Sequence, residues 1–192
     1  MDLTNLQTLK QKLLEIKNKG FIKSHRKDNT GIGKTLEDEM GIIENNQHEA
    51  DLNIGGKKAE LKGQRKSAKS RITLSTKEPE WITDKFIVID KTGYTDKKGR
   101  WGLKNTISMF KENKRGYKLE FSNGMVCITN SKLKSVCFFR IDKLIEIIKE
   151  KIGENLVLVL ADVKKVGDDE YFHYVEAIYY EDFNEKSFMQ LL

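Results

Sequence analysis

The chain has 192 residues, 33% charged and 38% hydrophobic, which suits one domain with a sizeable core, or one split into two lobes, under a heavily charged surface. No apolar run approaches the ~20 residues that a membrane span needs, and the acidic and polar residues among the leucines of "MDLTNLQTLKQKLL" exclude a signal peptide. The net charge of +6 is compatible with nucleic acid as a partner, and two cysteines without metal-ligand spacing, Cys127 and Cys137, fit a reduced, cytoplasmic protein.

In chain order, Leu3, Leu6, Leu9, Leu13, Leu14 and Ile16 have helical spacing that stops at Gly20. A basic loop, "KSHRKDNTG", precedes a short helix capped by Thr30 or Thr35 and carrying Leu36, Met40 and Ile43. "DLNIGGKKAELK" predicts two strands around Gly55-Gly56, and "RITLST" and "FIVID" are further strand candidates separated by Pro79, the only proline. Residues 92–139 change to short, polar, β-rich segments that suit an inserted lobe. They include "YKLEFSNGMVCIT", where Asn123-Gly124 suits a type I′ hairpin turn. "RIDKLIEIIKEKIG" predicts an amphipathic helix ending at Gly153. "NLVLVLADV" and "YFHYVEAIYY" predict paired strands across Gly167-Asp168-Asp169, and "EKSFMQLL" begins a last helix.

"GIGKTLEDE" contains Gly33-Lys34-Thr35, the end of a nucleotide-binding P-loop. Such a loop needs a glycine at position 28 and a buried strand before it, so that backbone N–H groups cradle phosphate. Position 28 is Asp28 and the preceding residues are polar, so ATP is not expected to bind.

The hairpin carries the chemistry. With a two-residue turn at Gly55-Gly56, alternation puts Asp51, Asn53, Lys58, Glu60 and Lys62 on one face, and Leu52, Ile54, Ala59 and Leu61 on the core face. Asp51 then opposes Glu60 at about 5 Å, a like-charge pair that needs compensation by Lys62 or a divalent cation. Chance pairing on a charged surface hairpin is the plain alternative.

D-(x)n-E-x-K is the signature of the PD-(D/E)XK nucleases, and "NTGIGKTLEDEMGIIENN…ADL…AELKGQRKSAKSRITLSTKEP" resembles the MvaI/BcnI restriction endonucleases, of the MutH-like branch. The resemblance is strongest over residues 20–80. It implies a mixed α+β fold, a central mixed β-sheet flanked by helices with a smaller β-rich lobe, and Mg2+-dependent hydrolysis of double-stranded DNA. By that likeness Asp51, Glu60 and the Leu61 carbonyl hold the metal and Lys62 acts beside it. Gly31 and Gly33 form a tight turn into a helix that delivers Glu37 to the site. Lys66, Lys69 and Arg71 contact phosphates, which positions DNA without specifying sequence, and Lys34 contacts at most the DNA backbone.

The resemblance places a catalytic lobe at about residues 1–91 and 140–192, a smaller DNA-facing lobe at 92–139, and DNA between them, in a monomer. Relatives continue past a segment like "EDFNEKSFMQLL" into a stretch with Arg and His that helps read bases, whereas this chain stops at Leu192. Its recognition elements therefore lie elsewhere, or it is a shortened relative. A type II restriction endonuclease is the leading reading; a MutH-like nicking repair enzyme and a non-catalytic DNA-binding module are the rivals. His48 reads as an exposed loop residue, His173 as structural, the cysteines as small buried residues, and Trp81 and Trp101 as core or interface packing.

Overall fold

Asn5 opens the first helix by accepting the Thr8 N–H on its side-chain oxygen at 3.0 Å, which satisfies a donor that the helix itself leaves without a partner. In the computed structural model, which describes residues 1–43, 50–68, 77–153, 155–181 and 186, this helix, α1 (Leu6–Asn18), follows a short strand β1 (Asp2–Leu3) and turns its buried Leu9 and Ile16 inward. Strand β2 (Ile22–Lys23) and an irregular loop lead to α2 (Gly31–Met40). Neither threonine caps α2 with its side chain. Thr30 sits at the N-cap position without a side-chain bond, and the buried Thr35 accepts the His25 N–H on its Oγ1 at 2.9 Å. Gly41 ends α2 in the left-handed conformation at φ 79°, so Ile43 lies beyond the helix that was expected to carry it and is 86% exposed. Strands β3 (Leu52–Ile54) and β4 (Lys57–Arg65) then form the predicted hairpin, pairing Ile54 with Lys57, Asn53 with Lys58 and Leu52 with Ala59.

The chain next builds a second unit, centred on Thr76–Glu146; the first comprises Met1–Ser75 and Ile147–Phe188. Strand β5 (Glu80–Trp81) is followed by α3 (Lys85–Thr92), so "FIVID" is helical and not a strand. The Asp84 side chain accepts the N–H groups of Phe86 and Ile87 at 2.8 and 3.2 Å, and of this run only Val88 is buried. A β-branched run favours a strand when both faces find partners; here a strong N-cap and one buried face decide for the helix.

Strands β6 (Tyr94–Thr95) and β7 (Trp101–Gly102) form a small ribbon. Strands β8 (Tyr117–Ser122), β9 (Met125–Asn130) and β10 (Lys134–Arg140) form a meander that β5 extends, in the order β5-β10-β9-β8. Asn123 and Gly124 have φ of 50° and 72°, as the predicted type I′ turn requires. The core of this unit holds Val88, Tyr117, Val136 and Cys137, and burial pushes the Cys137 thiol up to about 11. Trp81 and Trp101 are 37% and 57% exposed, so neither belongs to the core.

Helix α4 (Ile141–Ile152) stops at Gly153, at φ 66°, as predicted. The long strands β11 (Asn155–Val166) and β12 (Asp169–Tyr180) then return to the first sheet, whose order is β1-β3-β4-β11-β12-β2. β11 lies parallel to β4 and antiparallel to β12, so the sheet is mixed. Parallel neighbours need a long crossover, and here the chain between them contains Thr76–Glu146 of the second unit. Helices α1 and α2 bury Leu9, Ile16, Ile32, Leu36 and Met40 against Leu52, Ile54, Leu61, Val157, Val159 and Phe172, leaving the expected α+β sheet covered on that face. "RITLST", and all of "EKSFMQLL" except Lys186, lie outside the described residues. Among the described residues no helix is long and apolar enough to cross a membrane.

Candidate active site

The site is built where α2 crosses β4. The sequence suggests that Gly31 and Gly33 make a turn; they are the first and third residues of α2 itself, and only Gly31 is required by close approach, since a Cβ at Gly33 would meet nothing nearer than Glu37 Oε1 at 3.9 Å. A Cβ at Gly31 would collide with the Ser24 hydroxyl and the Arg26 carbonyl. One at Gly63 of β4 would lie 3.1 Å from the Ile32 carbonyl and 3.5 Å from the Gly33 Cα. The same Ile32 carbonyl accepts the phenolic O–H of buried Tyr174, on β12, at 2.7 Å. Burial, with Glu39 and Glu37 nearby, raises the Tyr174 pKa, which keeps the phenol a donor. Helix α2 is thus held against the sheet at Gly63 and by Tyr174, and against the preceding loop at Gly31.

Asp51 lies one residue before β3. Its Oδ2 accepts the Leu61 N–H at 3.0 Å, on the edge of β4 that β3 leaves unpaired past Ala59. In a strand the N–H and C=O of one residue point to the same side, so the Leu61 carbonyl faces that edge too. Glu60 is 6% exposed, and Lys62 donates from its Nζ to Glu60 Oε1. A buried carboxylate of this kind requires such a partner. The compensation expected for the opposed acids is therefore divided: a backbone amide for Asp51 and an ammonium for Glu60.

Glu37 is half-buried on α2, its Oε1 lying over Gly33, 3.9 Å from where a Cβ would be. Since Leu61 and Gly63 face α2, alternation points Glu60 and Lys62 to the other face. Helix α2, which carries Glu37, thus packs on one face of β4, Glu60 and Lys62 project from the other, and Asp51 occupies the edge between them. Leu61 itself is buried in the core, so only its backbone is offered to the site.

Lys34 pairs with Asp38 at 2.7 Å along α2, and Asp38 also meets His25 Nδ1 at 2.9 Å. The Lys34 pairing first, then the His25 bond, lowers the Asp38 pKa. This lysine follows a two-residue strand and a polar loop, whereas a P-loop lysine follows a buried strand and a glycine-rich turn. Lys66 is exposed just past β4, 3.7 Å from Glu176. Lys69, Arg71 and His48 lie outside the described residues. His173 is structural: its Nε2 is 3.1 Å from the Lys17 carbonyl and its ring lies beside Phe21.

Three residues of this neighbourhood have no motif. They are Tyr174, Gly63 and Asn155, whose buried amide donates to the Lys58 carbonyl at 3.1 Å across β4 and β11. The signals are slight: a tyrosine among many in "YFHYVEAIYY", a glycine inside a strand, and an asparagine opening an apolar run.

Over residues 10–192 the sequence matches the MvaI/BcnI restriction endonuclease family. The chain belongs to that family. It is accordingly a type II restriction endonuclease, a site-specific deoxyribonuclease. The solved complex of restriction endonuclease MvaI with its cognate DNA substrate has the same fold, with a TM-score of 0.77 at 22% identity over 96% of this chain and 78% of that one. The structure of MvaI in the absence of DNA aligns over 96% of this chain and 77% of that one, at 20% identity and a TM-score of 0.47. No curated protein matches in sequence.

Proposed function

We propose that this member of the family hydrolyses phosphodiester bonds of double-stranded DNA at a short specific sequence with the help of Mg2+, through Asp51, Glu60, Lys62 and Glu37. The observation that carries this reading is the seating of the Asp51 carboxylate on the Leu61 N–H, on the strand between Glu60 and Lys62. The solution of MvaI with DNA on the same fold supports the choice of substrate.

The donors suit a hard divalent ion. Among the described residues no group of three or more His, Cys, Asp or Glu side chains could hold a metal. Two carboxylates and a backbone carbonyl are, however, what magnesium commonly takes from protein, water and phosphate completing the shell. Asp51, Glu60 and the Leu61 carbonyl would hold it, and the chemistry it supplies when bound is Lewis-acid polarisation of a phosphoryl oxygen.

Lys62, tethered to Glu60, orients the attacking water and offsets charge developing on the phosphate. Glu37 anchors waters from the α2 side. Lys66, Lys69 and Arg71 hold phosphates of the duplex, while Lys34, committed to Asp38, contributes at most a backbone contact.

Digestion of defined plasmids with Mg2+, followed by sequencing of the ends, tests the reading directly. Discrete ends at one short sequence support it; intact plasmid overturns it. Comparing Glu37→Ala with Lys34→Ala in the same assay, with and without ATP, adds a second criterion. Glu37→Ala is expected to lose roughly 10–100-fold, partly restored by higher Mg2+, while Lys34→Ala is milder and ATP has no effect. The reverse order, with measurable nucleotide binding, would restore the P-loop reading.

A further inference from the structure

The excess charge of this chain is confined to one region. Residues 77–146 carry fifteen Lys and Arg against nine Asp and Glu, a net +6 that equals the charge of the whole chain, so the remaining residues balance. Within that region, residues 97–118 hold eight basic residues and one acid, Glu112.

Phe110 stands in the middle of this basic stretch and is 92% exposed, the most exposed large hydrophobic among the described residues. Its loop is braced. The Leu119 N–H, on edge strand β8, donates to the Ser108 carbonyl at 3.0 Å, and the Ser108 hydroxyl donates to the Lys111 carbonyl at 3.3 Å. On the far side of Phe110, the Asn113 side-chain amide donates to the Thr106 carbonyl at 3.0 Å, and the Asn113 N–H to the Tyr117 carbonyl at 2.9 Å. The ring is thus held out at a tip closed on both sides, in a stretch that also carries half-buried Met109 and exposed Lys104, Lys111 and Lys114.

Trp101 differs: its indole lies 3.2 Å from where a Gly93 Cβ would be, so the ribbon accounts for it. The fold gives no such account of Phe110. A second copy of the chain is a poor occupant for the tip, because it would oppose like charges. Duplex DNA offers both complements, phosphates for the lysines and base faces for the ring; apolar side chains among basic ones commonly wedge against base steps in this way.

We propose that Phe110 inserts against the bases of the DNA duplex while Lys104, Lys111 and Lys114 hold the adjoining phosphates, making this loop a reader of local base stacking. The inference rests on the DNA-cleaving reading above and extends it to a residue that the nuclease signature does not contain.

The test uses the full chain and duplexes spanning the mapped cleavage site, with 2-aminopurine placed at successive steps and no divalent ion present. Wild type is expected to raise the fluorescence at one step. Phe110→Ala should lose that rise and bind roughly tenfold or more weakly, with an unchanged melting temperature and salt slope; Phe110→Trp should retain both rise and affinity. Lys114→Ala should keep the rise and lower the slope of log K against log salt by about 0.9. Binding and fluorescence in Phe110→Ala equal to wild type overturn the inference and leave the nuclease reading standing. A dimeric wild type that Phe110→Ala makes monomeric also overturns it, by showing a second copy on the ring. A wild type that neither binds nor cuts DNA overturns the nuclease reading first.

Discussion

The two units of this chain use polar and charged residues in opposite ways. In the first, formal charges balance, and those near the candidate site are tied down: Asp51 to a backbone amide, Glu60 to Lys62, Lys34 to Asp38, and Arg65 to Glu170 at 2.6 Å. A long β11–β12 ladder and two helices enclose one core. In the second, strands are short, the core is small, and unbalanced basic residues surround exposed aromatics. On the proposed reading, the difference reflects two physical tasks, catalysis in the first unit and DNA holding in the second. Reacting groups need a stiff shell, because misplacement of about 1 Å can cost on the order of 10²-fold in rate. Holding a polyanion needs exposed cations, whose contribution grows by releasing counterions and tolerates loose geometry.

The largest expected effect separates the units by what is lost. Asp51→Asn keeps an acceptor for the Leu61 N–H but removes the charge, and it should lower cleavage by roughly 10²–10⁴-fold with little change in DNA affinity measured without metal. Lys62→Met should do the same. Lys118→Ala, in the second unit, should leave the rate at saturating DNA near wild type and change only the affinity and its salt dependence. Comparable rate losses in both units would erase the distinction.

A smaller effect should come from the α2–β4 contact. Gly63→Ala forces the Ile32 carbonyl, 3.1 Å from the new methyl, to move, together with the helix that carries Glu37. Overpacking of this kind costs about 1–3 kcal/mol, read as a lower denaturation midpoint, and cleavage should fall further than stability alone explains. Cleavage falling only in step with the folded fraction would mean that α2 does not position the site.

Two buried tyrosines offer a closer comparison. Tyr174 bonds the Ile32 carbonyl at 2.7 Å, and Tyr117 bonds Thr92 Oγ1 at 2.6 Å. Each Tyr→Phe change should cost about 1 kcal/mol in chemical denaturation. Only Tyr174→Phe should also slow cleavage at saturating DNA, because only that hydroxyl holds the helix bearing Glu37.

The smallest effect is a pH dependence. Because Lys34 and His25 lower the Asp38 pKa in the folded protein, this carboxylate adds stability above its unfolded value of about 3.9, and the gain is lost as pH falls through the lower folded value. Asp38→Asn should therefore be slightly less stable than wild type at neutral pH and equal to it in strong acid. A difference independent of pH would assign the effect to packing.

Local sequence by itself determined the elements whose signals are local: α1 and its stop, the Asn123-Gly124 hairpin, the β3–β4 register, and with it the common face of Glu60 and Lys62. Period-two alternation and tight turns act over a few residues, so they can be read without the fold. The same locality misled at "FIVID", where strand propensity lost to the Asp84 cap and one-sided burial, and at Gly31 and Gly33, which lie inside α2, Gly31 packed tightly on the loop before it. Only tertiary structure decided that Tyr174 is bonded to the Ile32 carbonyl 142 positions away, that Asn155 bridges to Lys58, that a methyl at Gly63 would crowd the Ile32 carbonyl, and that Phe110 finds no core to enter. Such features depend on which surfaces remain after distant strands pair and helices dock, and no window of sequence contains both partners.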